Sequence, residues 1–203
     1  VLSSAVFNGG ACHASNILIM KVAENVEGTK KIVENPENTL AEYCKRLQLR
    51  GTTVGMMTSA SMDSFRQVSR SSQGVEISVL VTAGISNARC AGDRADWRTF
   101  QPDANPTGTI NIIILTNATM SPAAMVESVM LATEAKTVAM RKLGLKSPVS
   151  GTIATGTGTD AIAVANGFGS GTVRYCGKHV LFGEMLASAV IEAITEALSD
   201  RVY

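Results

Sequence analysis

The sequence predicts an α/β (α+β) layered domain, with mixed sheets covered by helices. Three observations carry this reading. Strand-like and helix-like runs are mixed along the whole chain, the strand-like runs are too apolar to face water, and the long helical runs have apolar faces that need a sheet to lie on. A chain of 203 residues is the size of one domain with a real core, so residues 1–203 are read as one unit. Hydrophobic residues make up 45% but aromatics only 4%, so that core must be built from Ala, Val, Ile, Leu and the nine methionines.

The elements follow in order. Val1 to Phe7 reads as a strand ending in the turn Asn8-Gly9-Gly10, and Asn16 to Val22 as a second short apolar run. Pro36 opens a helix through about Leu49, with Asn35 as N-cap. Thr53 to Thr58 and Val75 to Ala83 are expected to be buried strands, with Ser61 to Ser71 between them helical or irregular. Asp93 to Thr107 contains Pro102, Pro106 and the only tryptophan, which suggests a surface loop. Thr109 to Thr116 is the clearest buried strand, because Ile110, Ile112, Ile113, Ile114 and Leu115 crowd into it. Ser121-Pro122 caps a helix that runs to Leu143 and stops at Gly144. After the apolar strand Ala161 to Ala165, the last helix spans about Leu181 to Ser199. Leu186, Val190, Ala193, Ile194 and Ala197 form its inner stripe, with Glu192, Glu196 and Asp200 in water.

Bulk properties remove several function classes. A net charge of +1, with no Lys/Arg cluster interleaved with aromatics, argues against nucleic acid or an anionic membrane as partner. Cys12, Cys44, Cys90 and Cys176 are far apart without a Cys-x-x-Cys pair, which suggests reduced, mostly buried thiols. No basic-then-apolar leader opens the sequence and no run approaches a membrane span, so the expectation is a cytoplasmic protein. Two separated histidines and no His-x-x-x-His give no metal-ligand spacing.

The strongest chemical signal is Ser150 to Asp160, with three glycines and four threonines in eleven residues. Glycines such as Gly156 and Gly158 let backbone N–H groups converge on an oxygen, Thr155, Thr157 and Thr159 add hydroxyls, and Asp160 adds a carboxylate. The bland alternative is a tight turn with solvated threonines. The run is neither a Walker A loop nor a dinucleotide fingerprint, and no Gly-x-Ser-x-Gly elbow occurs. His179, at the entrance to the last helix, suits acid/base work, or is simply satisfied by neighbouring backbone. Glu134 and Lys136 point to different helix faces; either one of them reaches inward as a functional polar group, or both are solvated side chains. Asn111 lies in the most apolar strand, and Asn87 and Asn8 follow strands; each is either structural glue or a site amide.

Together these segments resemble one family, the adenosylcobinamide amidohydrolases of corrinoid salvage. The segments are Leu2-Ser-Ser-Ala with Asn8-Gly-Gly, Thr53 to Ala60, Val81 to Asp93, Gly108 to Ile113, Ala132 to Thr137, Ser150 to Ala165, and Gly177-Lys-His179 with Gly183-Glu184. They span nearly the whole chain. The resemblance implies cleavage of the amide that joins aminopropanol to a propionate side chain of the corrin ring, giving adenosylcobyric acid. The cobalt corrinoid is then substrate rather than cofactor. A looser resemblance of Ser150 to Ala165 to autoprocessing β-aminopeptidases suggests an α-β-β-α sandwich as the layer order, without their self-cleavage.

On this reading the loop around Gly156 and Gly158 anchors substrate or the developing oxyanion, Asp160 or Glu184 acts as base on water or on Thr157, and His179 protonates the leaving amine. Asn8, Asn87, Asn111, Glu134, Lys136, Thr155 and Thr159 are substrate-binding candidates. Met56, Met57 and Met62 either line an apolar cleft or fill the core. His179 lacks the Asp-x-His-x-x-Gly context of a cobalt ligand, so no metal ligation is expected of it. Competing readings are a non-catalytic corrinoid-binding protein and a hydrolase of another amide. The sequence leaves a homo-oligomer open.

Overall fold

The short apolar runs become strands and the long ones helices. The computed structural model describes residues 1–22, 35–96 and 108–199, and it opens with β1 (Leu2–Ser3), β2 (Gly10–Ala11) and β3 (Asn16–Lys21). Helix α1 (Pro36–Arg46) and β4 (Thr53–Thr58) follow, then a 3₁₀ turn at Met62–Ser64 and the hairpin of β5 (Arg66–Ser72) and β6 (Val75–Ala83). After these come β7 (Ala88–Arg89), β8 (Ile110–Thr116), β9 (Thr119–Met120), α2 (Pro122–Lys142), β10 (Gly156–Thr157), β11 (Ala161–Ala165), β12 (Thr172–Val173) and α3 (Leu181–Leu198).

Six strands form one mixed sheet in the order β2-β1-β11-β8-β6-β5, in which only β8 and β11 run parallel. Side chains alternate across it. Ile110, Ile112 and Ile114 of β8 and Ile77, Val79 and Val81 of β6 face α2 and α3. Ile113, Leu80, Ala161 and Ala163 face the other way and meet Val54 and Met56 of β4 and Ile17 and Ile19 of β3. Those two strands are a separate parallel pair. Helix α1 covers β4 from outside, where Leu40 is fully buried and a side-chain carbon added at Gly55 would lie 3.2 Å from Leu40 and from Phe7. The layer order is therefore α-β-β-α. Each fully buried isoleucine contributes roughly 1.5–3 kcal/mol over an exposed one, so the central strand is a large part of what holds the layers.

The caps fall where the sequence places them. Ser121 accepts from Ala124 N–H (3.1 Å) ahead of Pro122, and Asn35 accepts from Asn38 N–H (3.0 Å) ahead of Pro36. Helix α2 closes at left-handed Gly144, with Leu145 N–H bonded to Met140 O (3.3 Å). Helix α1 closes the same way at Gln48 (φ +55°), with Leu49 N–H on Cys44 O (3.1 Å), so it ends three residues before Leu49.

Two segments differ from expectation. Ser61 to Ser71 is mostly strand β5, because Gln73 and Gly74 both take left-handed angles and make a two-residue hairpin turn onto β6. Its polar residues hid an edge strand whose one buried side chain is Val68. Val1 to Phe7 is not one strand either: the chain leaves the large sheet after Ser3, and Phe7 makes an antiparallel bridge to Gly55 of β4. Most of the expected loop Asp93 to Thr107, and Asp200, lie outside the described residues. The stripe Leu186, Val190, Ala193, Ile194 and Ala197 is buried as expected. All four cysteines are free thiols, but only Cys176 is buried, which pushes its thiol up, whereas Cys12, Cys44 and Cys90 are partly exposed rather than buried as expected. Among the described residues no helix is long and apolar enough to cross a membrane.

Candidate active site

Strands β8 and β11 begin side by side at Ile110 and Ala161, and antiparallel β6 ends beside them at Ala83. The loop Thr155 to Asp160 sits at this end of the sheet, and its threonines tie it down. Thr155 N–H donates to Arg89 O (2.8 Å), and Ala91 N–H donates to Thr155 Oγ1 (2.9 Å). Gly156 and Thr157 pair with Arg89 and Ala88 as the short β10–β7 ribbon. Thr159 donates its hydroxyl to Gly108 O (2.9 Å), while Thr109 donates to Thr159 O (2.8 Å). Asp93 braces the segment leading into the loop, accepting from Cys90 N–H (2.8 Å) and the Ser147 hydroxyl. These hydrogen bonds, that of Ser147 foremost, hold its carboxyl below the usual value of 3.8.

Asp160 is the hub. Its Oδ1 accepts from Ile110 N–H (3.0 Å) and the Thr157 hydroxyl; its Oδ2 accepts from Thr157 N–H (2.9 Å) and Lys136 Nζ. Side-chain exposure is 9% for Lys136 and 10% for Asp160, so this is a buried charge pair satisfied by further hydrogen bonds. Glycine at 156 makes room for it, since a side-chain carbon there would strike Asp160 Oδ2 and lie 2.6 Å from Lys136 Nζ. The loop's N–H groups do not form an open nest: those of Thr157 and Gly158 are engaged by Asp160 Oδ2 and Asn87 O (3.3 Å).

The other candidates separate into three groups. Asn8 and Asn111 donate to Thr53 O (2.9 Å) and Met57 O (2.8 Å), so their amides satisfy the unpaired edge of β4 on either side of the Phe7 bridge. Asn87 is buried beside the loop, and neither atom of its amide has a partner among the described residues. Glu134, His179 and Glu184 lie elsewhere. Glu134 pairs with Lys178 at the surface, about 200° around α2 from Lys136. His179, next to Lys178, is exposed with its ring against Gly177, and Glu184 is exposed in the first turn of α3. Neither is hydrogen-bonded to the Asp160 cluster. Met56 belongs to the core between the sheets, whereas Met62 is exposed. No group of three His, Cys, Asp or Glu side chains converges among the described residues.

Sequence reading missed Ser59, whose hydroxyl accepts from Gly108 N–H (2.7 Å), and the role of Gly108 itself. Gly108 has φ +102°, and a side chain there would meet Ser86 Oγ at 2.5 Å and Asn87 Oδ1 at 2.8 Å. A glycine directly before the most apolar strand was the available signal.

The family described as adenosylcobinamide amidohydrolase matches residues 1–202. Uncharacterized protein MJ1613 of Methanocaldococcus jannaschii is 37% identical over 181 residues, covering 82% of this chain and 71% of that relative. An adenosylcobinamide amidohydrolase of Methanosarcina mazei is 30% identical over 176 residues, 82% of this chain and 76% of its own length. One of the same name from Halobacterium salinarum is 31% identical over 131 residues, 62% of this chain and 51% of its own length. No solved structure matches the chain. With nearly every residue inside the family match, the chain belongs to the adenosylcobinamide amidohydrolase family.

Proposed function

We propose that this protein hydrolyses the amide linking aminopropanol to a propionate side chain of adenosylcobinamide, leaving the carboxylate of adenosylcobyric acid. The cobalt corrinoid is substrate, and the chemistry runs on side chains of this chain. The observation that carries the reading is the buried relay of the Thr157 hydroxyl on Asp160 Oδ1, with Lys136 Nζ on Oδ2. A hydroxyl held on a carboxylate is the arrangement a nucleophile and its base require.

Asp160 takes the proton as Thr157 Oγ1 adds to the carbonyl carbon, and the carbonyl π electrons move to oxygen. Collapse of that adduct breaks the carbon–nitrogen bond, and the departing amine needs one proton. Lys136 is the ammonium nearest that carboxylate, which favours it over His179 as donor. Water then hydrolyses the Thr157 ester to the carboxylic acid and restores the hydroxyl. Thr155 and Thr159 hold the loop, and Gly156 and Gly158 let it pass close to the carboxylate and the Asn87 backbone.

The test is purified protein with adenosylcobinamide, read as free aminopropanol. Asp160→Asn should lower the turnover rate by about 10²–10⁴-fold. Corrinoid binding without any aminopropanol would point to a non-catalytic binding protein, and faster release from simple amides would point to a different substrate.

A further inference from the structure

Among the described asparagines, Asn87 is the one whose amide is buried without a hydrogen bond. The amides of Asn8, Asn16, Asn111, Asn117 and Asn166 are each hydrogen-bonded to backbone or side chain. Asn87 is 8% exposed, and both Nδ2 and Oδ1 are buried without a partner among the described residues, so exchanging the two atoms repairs nothing. It occupies the turn closed by Ala88 N–H on Ile85 O (3.1 Å), where asparagine commonly bonds its own backbone, yet this one does not. Burying an amide unpaired is costly, and such groups persist where a ligand completes them.

Its position identifies the ligand. Asn87 O accepts from Gly158 N–H, the next residue Ala88 pairs with Thr157, and Gly108 packs so closely that a side-chain carbon there would lie 2.8 Å from Oδ1. The amide thus lies beside the proposed nucleophile. The loop's own N–H groups at Thr157 and Gly158 are already engaged, so neither is a free donor for the developing oxyanion.

We infer that the Asn87 side chain stabilises the tetrahedral adduct, Nδ2 donating to the oxyanion and Oδ1 accepting from the N–H of the departing nitrogen. This rests on the amide-cleaving reading. In a planar trans amide the C=O and N–H point in opposite directions, so one carboxamide cannot engage both. Once the carbon is tetrahedral the nitrogen is pyramidal and free to rotate, and oxygen and N–H can lie on one side. The second hydrogen bond therefore forms only past the ground state and raises kcat rather than lowering KM.

Two readouts test this together. Asn87→Leu and Asn87→Ala should each lower kcat for aminopropanol release by about 10²–10³-fold, with KM within about twofold. The melting temperature of Asn87→Leu should be unchanged or higher by about 2–4 °C, because the substitution removes an unpaired buried amide and keeps its volume. A structural asparagine would instead give a lower melting temperature, which overturns the inference, as does a raised KM at normal kcat. A fully active Asn87→Leu in a working enzyme sinks this inference alone. Wild-type protein that releases no aminopropanol sinks the amide-cleaving reading and this one with it.

Discussion

Helix α2 carries two ion pairs two residues apart, and they have little else in common. Lys136–Asp160 joins the helix to the loop before β11, with both side chains about nine-tenths buried; Glu134–Lys178 lies on the opposite flank, with side chains 50% and 71% exposed. Removing one partner of a buried pair leaves a charge with neither water nor counter-ion, whereas a solvated pair exchanges one good environment for another. The comparison teaches that burial, not the presence of an ion pair, marks where this helix supports the site. Glu134 and Lys136 are alike in sequence context, and only the fold separates them.

Breaking the buried pair should give the largest effect. Lys136→Met should cost about 3–5 kcal/mol, a loss in melting temperature on the order of 10 °C for a chain of this size, together with most activity. Adding Asp160→Asn to Lys136→Met should recover part of the lost stability, because the stranded charge is gone. A double mutant as unstable as the sum of the single mutants would mean the two side chains act independently.

The exposed pair should respond weakly. Glu134→Gln should change stability by roughly 0–1 kcal/mol, and His179→Ala on the same flank should keep most of its turnover. A loss of about 10²-fold or more in His179→Ala at unchanged melting temperature would return the proton-donor role to that histidine.

The smallest expected effect concerns the brace under the loop. Hydrogen bonds from Ser147, Ser150 and the Cys90 N–H hold the folded Asp93 carboxyl below its ordinary 3.8. A group with a depressed folded value contributes fully above about pH 5 and loses that contribution as pH falls through 3.8 and below. Melting temperatures of wild type and Asp93→Asn should therefore differ at neutral pH and converge on acidification. A constant gap across that range would remove Asp93 from the acid response.

The sequence by itself determined whatever depends on near neighbours. Ser121-Pro122 and Gly144 bound α2 because an N-cap hydroxyl and a left-handed glycine act within one turn of helix. The isoleucines of β8 marked a strand buried on both faces, since no exposed element tolerates them. The loop Ser150 to Asp160 stood out by composition, and the ordered family-like segments gave it a chemistry. Strand β5 was missed because its polar residues conceal an edge that only pairing with β6 stabilises.

The tertiary structure alone decided which polar groups meet. Lys136 and Asp160 are 24 residues apart, and Asn111 lies 54 residues from the Met57 carbonyl it satisfies. No local pattern encodes such partners, because the free energy of a buried charge or amide depends on what surrounds it after folding. The same reason separates Asn8 and Asn111, whose amides close the edge of β4, from Asn87, whose amide is buried without a partner among the described residues.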